Sequence, residues 1–299
     1  MHDYLTYLYL LTSLHTGGSA DEGNLMGIAR EVHTEFPYLP SSSLRGKIRA
    51  SLEGEENAGT FFGQKIENGK QPTEGEVWFA DATLLFFPIA SLSHHMIWIT
   101  CPLWLRRWNQ WLNDGDIDEA IAQCDASLSK ETPALVSFTP ESLFLQTALL
   151  KPNELTQLDS KLLTSSLSAV TRGGGAISNL LKKLVVISDE DCITLVETGL
   201  QREVRVALET GSKTVKGGSF RSEEAIPPET VLFFPWGTKP PKEILDPETK
   251  KTKKIDTQAV RGKLNELLGG KLQLGGLEGL GRGWTNAKTI STSRQGGKQ

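Results

Sequence analysis

Cysteine is scarce in this chain: Cys101, Cys124 and Cys192 are the full set. They lie far apart and form no C-x-x-C, so neither a zinc cluster nor a disulfide framework is expected, and a reducing cytoplasm fits. No apolar run is long enough to cross a bilayer, so no membrane partner is expected. The opening Met1-His2-Asp3-Tyr4 has no basic n-region, so no secretory leader is expected. Charge of one sign is also missing, since 32 Lys/Arg stand against 36 Asp/Glu. That balance hides an asymmetry. Residues 239–299 carry 13 Lys/Arg against 6 Asp/Glu, a local +7 that leaves −11 for the rest. A mildly acidic chain with a basic end can still bind nucleic acid, because the local field governs the encounter. The run Lys250-Lys251-Thr252-Lys253-Lys254 by itself reads as a solvated loop.

Glycine, by contrast, is concentrated. Leu272-Gln273-Leu274-Gly275-Gly276-Leu277-Glu278-Gly279-Leu280-Gly281-Arg282-Gly283-Trp284 holds five glycines within nine residues. Glycine is costly to order, so this density needs a backbone reason. No G-x-G-x-x-G can be read in it and no Gly-Lys-Ser/Thr follows, which excludes a dinucleotide fingerprint and a P-loop. A structural turn and a close approach to phosphate both remain open.

Along the chain, Tyr4 to Leu14 reads as a buried strand. Gly17 to Gly23 is a polar loop, and Phe36 to Pro40 is extended through its prolines. Ser41, Ser42 and Ser43 are expected to cap a helix from Leu44 to Leu52 that carries Arg45, Lys47 and Arg49. Glu76 to Phe87 and Met96 to Thr100 are strand candidates. Pro102 to Leu112 reads as a helix whose Trp104, Trp108 and Trp111 share one face, better suited to core packing than to base stacking. Residues 125–170 lack a period and read as an inserted region. Ser178 to Leu184 and Asp189 to Glu197 are helical, with Leu184 to Ser188 a strand. Val204 to Leu208 and Thr230 to Phe234 are strands, separated in part by a polar tip at Thr210 to Gly218 that reads as a projecting hairpin. Residues 255–268 form an amphipathic helix, and Ser291 to Gln299 a disordered tail. Interleaved strands and helices point to an α+β fold, a ferredoxin-like sandwich with helices on one sheet face and an open face of the kind that serves RNA.

Four blocks of residues resemble one family. They are Leu14-His15-Thr16-Gly17-Gly18 running on through Arg30-Glu31-Val32-His33 to Arg45-Gly46; Phe79 to Leu85 with Trp98 to Leu103; Glu223-Glu224-Ala225-Ile226-Pro227-Pro228-Glu229-Thr230; and Leu272 to Trp284. In this order they are similar to the Cas-seven-like backbone subunits of type III-B CRISPR effector (Cmr) complexes, members of the RAMP superfamily. The resemblance implies one RAMP domain over residues 1–299. It would have a ferredoxin-like (RRM-like) palm, an inserted helical region about 125–170, a β-hairpin thumb about 200–225 and a basic C-terminal region 239–299. It implies a cytoplasmic protein of antiviral defence that stacks in several copies on a guide RNA (crRNA). Its other partners would be complementary target RNA and further type III effector subunits.

The expected RNA-binding residues are Arg30, Ser41, Ser42, Ser43, Arg45, Lys47, Arg49, Gly279, Gly281 and Arg282. Serine hydroxyls at a helix start, guanidinium forks and glycines all suit a phosphate. The resemblance also implies a metal-dependent cut of target RNA, for which His15, Asp21 and Glu223 are the candidate catalytic residues. Its key loop carboxylate, however, aligns here with Leu25 or Met26, neither of which binds a metal or activates water. Ala225 stands where relatives often have Tyr, and Ala90 and Ser93 where they often have cations. Weak or absent cleavage is therefore expected, no metal ligand is assigned, and Mg2+ is a cofactor only if cleavage is retained. The competing readings are an active endoribonuclease using Asp21 as a relocated acid, and a guide-processing nuclease acting through His15.

Overall fold

The computed structural model describes residues 2–18, 21–22, 25–54, 58–63, 74–146, 148–171, 177–209, 211, 215–240, 242–245, 252–255 and 257–292. Ser19, Ala20 and Gly23 of the polar loop, Thr210 and residues 212–214 of the hairpin tip, Lys250 and Lys251, and the tail from residue 293 lie outside them.

The strands are β1 (His2–Leu10), β2 (Asp21–Glu22), β3 (Leu25–Met26), β4 (Val77–Phe79), β5 (Thr83–Ser91), β6 (His95–Thr100), β7 (Ala134–Val136), β8 (Leu143–Leu145), β9 (Ala148–Leu150), β10 (Leu155–Gln157), β11 (Leu184–Ile187), β12 (Gln201–Leu208), β13 (Val215–Ala225), β14 (Val231–Thr238), β15 (Lys242–Leu245), β16 (Thr252–Ile255), β17 (Lys271–Gln273) and β18 (Trp284–Ser291). The helices are α1 (Ser41–Ser51), α2 (Ala58–Phe62), α3 (Pro102–Leu112), α4 (Gly115–Ser127), α5 (Lys161–Thr171), α6 (Asp189–Gly199) and α7 (Gln258–Leu267).

One large mixed sheet runs in the order β10-β7-β11-β6-β5-β14-β1-β18-β17, with β4 beside β14. The α+β class is as expected, but helices cover both faces rather than one. Leu44 and Ile48 of α1, Val196 of α6 and Val260 and Leu264 of α7 pack on one side. Leu105 and Trp108 of α3, Ile121 of α4 and Leu163 and Leu167 of α5 pack on the other. Alternation along β1 shows why both sides are apolar: Leu8 and Leu10 belong to the first layer, Tyr7 and Tyr9 to the second. Trp104 and Trp108 are fully buried, and Trp108 Nε1 donates to the Tyr7 hydroxyl at 2.8 Å. Trp111, the third of the stripe, stays partly exposed.

Several boundaries differ from expectation for identifiable reasons. The first strand ends at Leu10, after which the chain turns to pair Leu14 with Ile226 and His15 with Gly276. The strand expected over Glu76 to Phe87 is two strands, because Ala82 bridges to Leu39 and Asp81 Oδ1 accepts from Ser41 N. Residues 125–170 are not a wholly helical insert: β7 and β10 extend the large sheet, and β8–β9 is a hairpin. The lysine run is not simply a loop, since Thr252–Ile255 pairs with β15, and the following helix starts only at Gln258.

Candidate nucleic-acid interface

The β12–β13 hairpin leaves the large sheet and joins β3 and β2 in a separate sheet ordered β12-β13-β3-β2. At its base Arg202 lies opposite Glu224 and Glu203 opposite Glu223. Opposed residues share a face and neighbours along a strand alternate, so the two consecutive glutamates look in opposite directions.

On one face, the Glu224 carboxylate is buried among cations. Arg30 Nη2 donates to its Oε2 at 3.0 Å, and Arg202 Nη2 stands 3.2 Å from its Oε1. Arg30 Nη1 donates to Glu197 Oε2 at 2.7 Å, and Arg202 reaches the other Glu197 oxygen. Burial works against the Arg202 charge, but the hydrogen bonds it donates to Glu224 and Glu197 outweigh it and hold its pKa above the usual arginine value. Arg30 therefore faces carboxylates rather than standing free for phosphate. A cavity of about 720 Å³ opens beside this cluster, lined among others by Leu25, Ile28 and Ile193. Beyond it the same hairpin face exposes Val204, Val206 and Phe220.

On the opposite face, Arg205 Nε lies 2.9 Å from Glu223 Oε2, an ion pair by distance without hydrogen-bond alignment. Arg282 is buried; it donates to Ser13 Oγ and pairs with Glu203 at 2.5 Å. The Arg282 guanidinium holds the Glu203 carboxyl below the ordinary glutamate value. Arg282 thus reaches from the glycine-rich loop to the chain leaving β1 and to the hairpin, tying three distant segments together.

His15 stands between these segments. Its Nδ1 lies 2.8 Å from the Glu224 carbonyl oxygen, which can only accept, so Nδ1 carries the proton. Gly276 N donates to the His15 carbonyl at 2.8 Å.

Register also locates the loop acid of interest. Met26 pairs with Glu223 on one side and Asp21 with Met26 on the other, so Glu203, Glu223, Met26 and Asp21 occupy one row across the four strands. The row brings Asp21 toward Glu223, although the position beside Glu223 is a thioether.

The serines do not cap α1. The helix starts at Ser41 itself, with Pro40 as N-cap and no side-chain cap bond. The Ser41 N–H goes to Asp81 Oδ1 at 2.6 Å and the Ser43 N–H to Pro40 O at 3.0 Å. A carboxylate therefore takes part of the expected anion site. Arg45 donates to Phe62 O at 2.6 Å and Val77 O at 2.9 Å, and Arg49 to Gly63 O at 3.0 Å. Both brace the end of α2, and Arg45 ties it to β4. Lys47 turns the other way and pairs with Glu278 of the glycine-rich loop at 2.9 Å.

The glycines of that loop divide into two kinds. Gly283 has φ +79°, and a Cβ there would lie 1.8 Å from Leu274 O; a Cβ on Gly275, also at φ +79°, would lie 2.4 Å from His15 O. These two are required by the turn. A Cβ on Gly279 or Gly281 would meet nothing within 4 Å, although Gly281, at φ +75°, also holds a left-handed backbone; this side of the loop faces outward, where a ligand backbone has room to approach.

Sequence reasoning missed Glu197, Arg202, Glu203 and Arg205. The signal was the charged alternation of Arg202 to Arg205 facing Glu223 and Glu224, readable only once the hairpin register is known.

The RAMP superfamily model matches residues 7–286. The CRISPR system Cmr endoribonuclease Cmr4 of Pyrococcus furiosus is 27% identical over 307 residues, covering 99% of both chains. The crystal structure of oligomeric Cmr4 from Pyrococcus furiosus has a TM-score of 0.67 at 22% identity, covering 98% of this chain and 100% of that one. The cryo-EM structure of the Type III-B Cmr-beta bound to cognate target RNA contains a chain with a TM-score of 0.68 at 18% identity, covering 96% of each. Among the described residues, no helix is long and apolar enough to cross a membrane.

Proposed function

Because this chain belongs to the RAMP superfamily, we propose that it is a guide-RNA-binding backbone subunit, present in several copies, of a type III-B-like CRISPR effector complex that targets RNA in the cytoplasm. The carrying observation is the correspondence with the Cmr4 relative over 99% of each chain. In this reading residues 1–299 act as one RAMP domain. The β12–β13 hairpin is the thumb, its base held by Arg30 and Arg282 and its apolar Val204, Val206 and Phe220 presented outward. The outward glycines Gly279 and Gly281, with the exposed Ser42 and the Lys47 edge of α1, form the approach for the guide backbone. Arg30, Arg45, Arg49 and Arg282 act indirectly, by holding the surfaces that meet RNA. Contacts to phosphate and 2′-hydroxyl groups bind without reading base sequence.

Target cleavage by this subunit is slow or absent in the same reading. The described residues do not fit a catalytic Mg2+: the position beside Glu223 is Met26, Glu223 faces Arg205, and no cluster of three ligating side chains occurs among them. A second reading, active cleavage through Asp21, has the register row of Asp21, Met26 and Glu223 in its favour.

The test is binding of the purified chain to guide RNAs of equal length and unrelated sequence at increasing salt. Equal affinities that fall steeply with salt are expected. Loss of binding when the guide sequence is exchanged contradicts the proposal.

A further inference from the structure

We infer that the uncovered half-face of the large sheet at its β17–β18 edge is a second RNA surface, which stacks an unpaired base on Trp284 and holds neighbouring phosphates with Lys271 and Lys288. This rests on the RNA-binding reading above and adds a site to it.

The helical layer over the second core stops short of this edge. Tyr7 and Tyr9 of β1 still lie beneath it, whereas on β18 only Ile290 packs against that core. The last two strands are covered on their other side alone, where Leu272, Leu274 and Ala287 are buried in the first core with Val260 and Leu264 of α7. Alternation then dictates what the open side shows. Lys271 pairs with Asn286 and Gln273 with Trp284, while Lys288 and Asn286 lie opposite Tyr7 and Tyr9. Lys271, Gln273, Trp284, Asn286 and Lys288 therefore share one face.

Trp284 alternates with buried Thr285 and Ala287 and is 41% exposed, beside the partly exposed Leu11. The two are fastened together, since Leu11 N donates to Trp284 O at 2.8 Å and Trp284 N to Thr12 Oγ1 at 3.0 Å. The indole thus sits on a rigid backbone. The same face carries two uncommitted cations: among the described residues neither Lys271 nor Lys288 has a carboxylate partner, in contrast to Arg30, Lys47 and Arg282. An exposed indole that shares an open sheet face with uncommitted lysines matches the chemistry of single-stranded nucleic acid, a π-face for the base and ammonium groups for the backbone. A protein partner has less to fit here, because interface cores are depleted in lysine.

The test uses the full chain and a short fluorescein-labelled oligouridine, read by anisotropy over a salt series. Trp284→Ala is expected to weaken binding about tenfold, and Trp284→Tyr to retain most of it because the ring still stacks. Lys271→Glu with Lys288→Glu is expected to weaken binding and flatten its salt dependence. All positions are on the surface, so the melting temperature should stay within a few degrees of the parent. Equal binding by the parent, Trp284→Ala and the lysine pair overturns this inference and leaves the proposed function standing. No binding by the parent at low salt overturns both. Changed self-association of Trp284→Ala on a sizing column, with oligouridine binding intact, reassigns the face to a second copy of the chain and also overturns it.

Discussion

Met26 lies in parallel register with Glu223, and Asp21 in antiparallel register with Met26. The strand position closest to a buried carboxylate is therefore filled by a group that cannot hold a hard cation, with an acid one strand further out. Metal-assisted cleavage needs a carboxylate fixed near the phosphate, and losing a positioned catalytic group costs about a hundredfold or more in rate. In the assembled complex with Mg2+, target RNA should be cut slowly or not at all, and Met26→Asp should raise the rate at least about tenfold. A denaturing gel of labelled target checks this. Fast, regularly spaced products that vanish in Asp21→Ala would show that the acid has moved instead.

Arg45 holds the carbonyls of Phe62 and Val77, whereas Lys47 pairs with Glu278 near the surface. Arg45→Ala should lower stability by about 2–3 kcal/mol, because hydrogen bonds from a charged donor are lost. Lys47→Ala should change it by less than about 1 kcal/mol. Urea denaturation separates them. The same contrast changes how a charge-reversed Arg45 and Lys47 pair must be judged: failure to assemble on RNA means little unless Lys47→Glu alone reproduces it with an unchanged melt.

Gly283→Ala should be strongly destabilising, about 3 kcal/mol or more, since it combines a left-handed backbone with a Cβ driven into Leu274 O. Gly279→Ala meets open space and should leave the melting temperature nearly unchanged. If the outer loop receives the guide backbone, Gly279→Ala should nevertheless weaken guide binding. Unchanged binding would remove that loop from the RNA surface.

The Glu203–Arg282 pair makes the hairpin base sensitive to acid. Glu203 has a lower pKa when folded than its ordinary value of 4.5, so it binds protons more readily unfolded. Its contribution is complete above that value and is lost as pH falls through the lower folded value. Hydrogen exchange of β12 and β13 should accelerate relative to the large sheet once the pH falls below the ordinary glutamate value and through the lower folded one. Glu203→Gln should show faster exchange already at neutral pH and a smaller further change on acidification.

Elements with local punctuation were legible in the sequence. Helix α3 matches its expected Pro102–Leu112 span because proline starts it and Asn113, at φ 53°, ends it in the left-handed region. Helix α6 was legible through its acidic first turn, and its N-cap is Ser188, which accepts from Asp191 N at 3.1 Å. What stayed hidden depends on distant partners. Arg30 is separated from Glu197 by 167 residues and Lys47 from Glu278 by 231, and no local pattern announces either pair. The cations that looked most suited to phosphate thus include several occupied by internal acceptors. Lys271 and Lys288 carry no local signal, because β17 is only three residues long and their shared face appears only with the β17–β18 pairing. The covering of both sheet faces was likewise hidden, since α4 and α5 carry ordinary apolar stripes that do not say which side they cover.

Native mass spectrometry of the chain mixed with guide RNAs of graded length tests the central claim most directly. A backbone subunit that stacks along the guide should load more copies as the guide lengthens, in regular steps and irrespective of guide sequence. A fixed single copy on every guide, or binding only to one sequence, contradicts the account.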